Sequence, residues 1–178
     1  MQSGNIHSKA ANLAEKTDAS SPVGLEGVSA PGENKLDWPL LSSIYDAVHE
    51  LRKGLVPQVQ IVEKDLFKEY MHCAPGWIKN SFCLTDYIWK VGTQGLKVYF
   101  DSRETWQIEM TKEAFVEVGA RAEANYFVRA LETFGAGLSL DELESQFQFE
   151  NLSRLLSGYL AQFKSEALEW VHLVKTTG

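Results

Sequence analysis

Cysteine is scarce in this chain: Cys73 and Cys83 are the only two in 178 residues. A small secreted scaffold stapled by disulfides would carry more, at denser spacing, so a reducing, cytoplasmic setting is expected. Two thiols this far apart also fall short of a zinc site, which needs about four ligands with paired spacing. His7, His49, His72 and His172 show no ligand spacing among themselves. No metal and no other cofactor is therefore expected. Long apolar runs are missing too. Nothing approaches the roughly 18 apolar residues of a membrane span, so no membrane partner is expected. The N-terminal stretch MQSGNIHSKAANLAEK lacks the continuous apolar core of a secretory signal.

Catalytic signatures are equally wanting. The chain has no G-x-G-x-x-G, P-loop, G-x-S-x-G or H-E-x-x-H. His72 and Cys73 are neighbours, and neighbours on a helix point roughly 100° apart, so they do not pair as base and nucleophile. His49 or His172 could approach Cys83 only through the tertiary fold. Carboxylates abound, but Asp141, Glu142 and Glu144 suit a helix start, and Glu117, Glu123 and Glu132 suit a solvated helix face. Gly92 and Gly95 bound a loop with no helix start behind it, which makes no phosphate cradle. These absences point away from an enzyme.

What is present describes an ordinary globular chain, with 44% hydrophobic and 23% charged residues. Its net charge of −7 opposes a phosphate backbone unless the basic residues cluster. Residues 38–112 are balanced, with nine Lys/Arg and nine Asp/Glu, whereas residues 113–178 carry five against ten. A nucleic-acid contact would fall to the middle. A basic protein partner would be drawn to the C-terminal third.

Residues 1–36 are rich in Ser, Gly, Ala, Asn and Pro and show no periodicity, which predicts a flexible tail. Residues 1–12 also contain no acid. This polar composition resembles the N-terminal export signals of bacterial type III effectors, and the resemblance implies export. A single compact domain is expected over 37–178, divided into helices and a hairpin (37–111) and a helical pair (112–178).

The first helix is read over 39–53, with Leu40, Leu41, Ile44, Val48 and Leu51 at three- and four-residue steps and Gly54 as its stop. Val59–Val62 alternates as a short strand would. Residues 63–72 read as a helix ended by Pro75-Gly76. Residues 77–91 fit helix better than strand. Leu96, Val98 and Phe100, then Trp106, Ile108 and Met110, alternate with polar or amphipathic residues around the polar Asp101–Glu104, the pattern of a β-hairpin. Thr111 then suits an N-cap for a helix over 112–134, closed by Gly135-Ala-Gly137. Ser139–Glu142 reads as a capping box for a short helix. A last helix is expected over 151–175, capped by Asn151 and antiparallel to its predecessor. The fold class read from this order is α+β and helix-dominated.

Three helices and a hairpin are also the order of a winged helix. In that reading Lys79, Lys90, Lys97 and Arg103 fall on the recognition helix and wing and contact nucleic acid. Ser139–Leu156 resembles a helix-turn-helix, but the turn lacks its glycine, and a short helix leading into a core helix explains the same residues. The reading that best fits the absences is a non-enzymatic protein-interaction module: an adaptor, inhibitor or effector-like protein. Its partner is another protein, met by Trp38, Trp77 or Trp89 as aromatic anchors. A DNA-binding regulator is the alternative.

Overall fold

A computed structural model describes residues 37–54 and 60–177. The expected tail, and Val59 of the expected short strand, lie outside the described residues. Nine helices occur among the described residues: α1 Trp38–Gly54, α2 Gln60–Cys73, α3 Gly76–Gln94, α4 Leu96–Ser102, α5 Thr105–Glu117, α6 Arg121–Gly135, α7 Asp141–Glu144, α8 Phe149–Ala161 and α9 Lys164–Thr177. No strand is found among them, so the class is all-α, not α+β. Positions 60–62 belong to α2, not to a strand.

The centre of the fold is α3. Trp77, Ile78, Phe82, Leu84, Tyr87, Ile88 and Val91 are all buried, so the helix is apolar on most of its circumference. A helix of that kind is covered by others rather than lying on a surface. Here α1, α4, α5 and α8 pack on it. Ser153, Ser157 and Gly158 are buried on α8, and such small side chains let two helices approach closely. The helix α9 packs on α1, and α6 packs on α5 and α4.

The expected hairpin is α4 followed by α5. Its period-2 reading treated Tyr99 as polar. Leu96, Tyr99 and Phe100 are in fact buried while Val98 is exposed, which is helical spacing. Met110, Thr111, Ala114 and Phe115 continue the same rhythm in α5. The polar segment between them caps helices at both ends. Ser102 donates from Oγ to the Val98 carbonyl at 2.6 Å. Glu104 and Gln107 form a reciprocal capping box that starts α5, the Glu104 N–H donating to Gln107 Oε1 at 3.0 Å. Without a hairpin there is no wing, and the winged-helix reading falls.

The two long C-terminal helices are each broken. Gly119 adopts φ 78°, with Ala120 N–H donating to the Phe115 carbonyl and Gly119 N–H to that of Val116, a Schellman ending that stops α5. Gly137, at φ 69°, closes α6 in the same way. Thr111 is not a cap but a buried residue inside α5. Its hydroxyl meets the Tyr99 hydroxyl at 2.9 Å and donates to the Gln107 carbonyl at 2.9 Å. Between α8 and α9 no glycine or proline intervenes. Gln162 and Phe163 instead bond three residues back, a tight turn that redirects the chain. The expected antiparallel pair is thus replaced: α6 leans on α4 and α5, α8 on α3, and a cleft opens between α6 and α8.

Candidate functional site

A groove of about 250 Å³ runs between α1 and α3, lined by Trp38, Ser42, Tyr45, Asp46, Thr85 and Trp89. Helical spacing builds it. Positions 38, 42, 45 and 46 share one face of α1, and 85 and 89 one face of α3. Trp89 is 64% exposed, an unusual position for the largest side chain. Trp38 is half-buried and stacks on Phe149 with centroids 5.7 Å apart. The Thr85 hydroxyl is covered and has no hydrogen-bond partner among the described residues. Aromatic walls with a few polar side chains among them are the usual lining of a binding groove.

A charged strut holds the groove's wall. Arg103 grips Asp86 with both ends of its guanidinium, Nε to Oδ2 at 2.6 Å and Nη2 to Oδ1 at 2.5 Å. Both side chains are mostly buried, at 18% and 13% exposure. Burial alone would lower the Arg103 pKa, but the hydrogen bond and charge of Asp86 outweigh it and raise it. Tyr45 donates its hydroxyl to Asp86 Oδ1 at 3.3 Å. Burial first, then the Asp86 charge, pushes the Tyr45 phenol up to about 12.

The residues singled out from sequence divide sharply. Trp38 and Trp89 meet in the groove. Trp77 does not join them. It is buried, stacked on Phe163 and edge-on to Trp170, as part of the core. Of the four cations, Arg103 is spent on Asp86, and Lys97 pairs with Asp101 one turn along α4 at 2.5 Å. Lys79 and Lys90 lie within about 20° on one face of α3, roughly 16 Å apart along its axis, with Asp86 on the same face between them. Sequence reading missed Tyr45 and Thr85. Neither has a local signature, because their partners come from other helices.

The candidate nucleophiles sit in inert surroundings. Cys83 is buried, and burial pushes its thiol up to about 12. His49 packs edge-on against Tyr45 and Phe82. Burial, then the Arg52 charge, lowers its pKa. Cys73 is exposed and free. Among the described residues no group of three or more His, Cys, Asp or Glu converges as metal ligands. No helix among them is long and apolar enough to cross a membrane. Compared with known protein families, characterised proteins and solved structures, the chain has no match.

Proposed function

We propose that this chain is a non-enzymatic protein-interaction module that seats an apolar side chain of a partner protein in the groove between α1 and α3. The observation that carries the reading is Trp89, mostly exposed beside a groove whose floor holds a covered, unpaired Thr85 hydroxyl. Exposed tryptophans beside pockets are the residues that dominate interface energetics. Asp46 stands on the rim, so a Lys or Arg flanking the partner's anchor fits the site. The net charge of −7 draws the same kind of partner. DNA binding has less support. Its topological basis was the hairpin, and two of its four cations are paired with carboxylates.

A photo-crosslinking residue placed at Trp89 tests this, with the same residue at exposed Lys175 on α9 as control. Irradiation in the cell of origin should give a discrete adduct from position 89 alone, lost when Asp46→Lys is added. Identical adducts from both positions, or none from position 89, would reject the reading.

A further inference from the structure

A second cavity, separate from the groove, lies where α6 and α8 diverge. It encloses about 390 Å³, within the range of small-molecule sites. Phe115, Tyr87 and Phe147 make its aromatic side, and Glu123, Asn125, Gln146 and Gln148 line it with polar groups. One wall is α6, which contributes Tyr126 and Arg129, and the other is the segment leading into α8.

Tyr87 is the informative residue. It is 1% exposed and ringed edge-on by Tyr99, Phe115, Phe127 and Phe147, with centroids 5.0 to 5.8 Å away. Its hydroxyl has no hydrogen-bond partner among the described residues. A site so enclosed by aromatic rings is suited to Phe, since a buried hydroxyl without a partner is destabilising. The neighbouring phenols are satisfied: Tyr99 meets Thr111, and Tyr126 donates to the Leu143 carbonyl at 2.6 Å. Of these phenols Tyr87 alone has no hydrogen-bond partner among the described residues, and it lines the cavity.

The cavity also has electrical polarity. At one end Glu123 is held by the Asn151 side-chain amide at 2.5 Å. Six residues further along α6, about 9 Å by helical rise, stands Arg129. Its guanidinium forms no hydrogen bond or ion pair among the described residues. An aromatic side, the unpartnered Tyr87 hydroxyl and the Arg129 guanidinium, set against a polar remainder that includes Glu123, define what the cleft accepts. We propose that this cleft binds a small planar aromatic molecule bearing a single carboxylate. The ring lies against Phe147, the carboxylate pairs with Arg129, and a ring heteroatom or substituent takes the Tyr87 hydroxyl.

The test uses the full chain, titrated with indole-3-acetate and phenylacetate and with their neutral amides, by calorimetry and amide chemical-shift mapping. The acids should bind saturably, at least tenfold tighter than the amides, with shifts centred on α6 and the start of α8. Arg129→Gln should remove that tenfold preference and leave amide binding unchanged. Ala122→Trp, at an exposed position on the cleft wall, should abolish binding of both with no loss of fold. Tyr87→Phe should raise the melting temperature of the free protein while weakening indole-3-acetate several-fold. Trp89→Ala should change none of this, which separates the cleft from the groove. The proposal is overturned if no probe saturates, if acid and amide bind equally, if the shifts map elsewhere, or if Tyr87→Phe lowers the melting temperature.

Discussion

Replacing Arg103 by Met should unfold this protein more readily than any other single change at a charged residue. The substitution keeps much of the side chain's length but strands the Asp86 carboxylate, 13% exposed, with only the Tyr45 hydroxyl at 3.3 Å. Coulomb attraction at about 4 Å and an effective dielectric near 20 is about 4 kcal/mol. Breaking a buried pair from one side costs roughly 3–5 kcal/mol. Because both groups keep some contact with water, we expect about 3 kcal/mol. In a domain of this size that lowers Tm by about 10 °C. Urea unfolding followed by circular dichroism reads the loss as a shift in midpoint with unchanged slope. The double variant Asp86→Leu with Arg103→Met removes both charges and should recover at least half of the loss. A coupling of about 2 kcal/mol or more between the sites then follows. A cost below about 1 kcal/mol for Arg103→Met would place the pair with ordinary surface salt bridges and refute the strut.

Other outcomes follow from the same geometry. Asn80, 3% exposed, donates to Glu117 Oε2 at 2.7 Å and to the Tyr159 hydroxyl at 2.9 Å, tying α3 to α5 and α8. Asn80→Ala should cost about 2 kcal/mol by denaturant titration. Gly95 turns α3 into α4 at φ 87°, and an added Cβ would come within 2.7 Å of the Glu144 carboxylate that accepts the Leu96 N–H. Gly95→Ala should therefore lose about 2 kcal/mol or more in thermal melts. A thiol reagent should label one cysteine, Cys73, in the native protein and Cys83 only on unfolding, since Cys83 is buried with its pKa raised to about 12. His49 has a folded pKa below its ordinary 6.5, so the unfolded chain binds the proton more readily. Its contribution is complete above pH 6.5 and lost as pH falls toward the folded value. His49→Phe should flatten that part of the stability–pH curve.

The helical stripe of α1 was legible because its apolar residues recur at three and four steps and end at Gly54, whereas α3, buried on most sides, fits a helix without a clear stripe. The hairpin reading failed because short alternating runs also fit a helix: Val98 is exposed in α4, and Trp106, Ile108 and Met110 are covered to different degrees in α5. Tyr99 carries both an apolar ring and a hydroxyl, and the fold buries both, the ring against Tyr87, Phe100 and Phe127 and the hydroxyl on Thr111. Gly119 was passed over because one glycine in a helical pattern is a weak signal. Only the left-handed φ it adopts makes it a stop. The turn at Gln162–Phe163 had no local signal at all, since Phe163 is drawn onto Trp77 of a distant helix. Of the site, Trp89 and Trp38 could be nominated as large aromatics. Their convergence with Tyr45 and Thr85, and the cleft around Tyr87, are products of tertiary packing that spacing along the chain does not encode.

The contact between α1 and α9 has a consequence for the order in which the molecule is finished. Asp37, at the head of α1, is held by Lys164 at 3.0 Å and by the Ser157 hydroxyl, which stand 127 and 120 residues further along the chain. Trp38 rests on Phe149. One wall of the groove is therefore made before the segments that prop it. During translation α1 and α3 can meet, yet the Trp38 end stays unsupported until α8 and α9 emerge. Fraying of α8 or α9 would be felt first at α1, more than a hundred residues away in sequence.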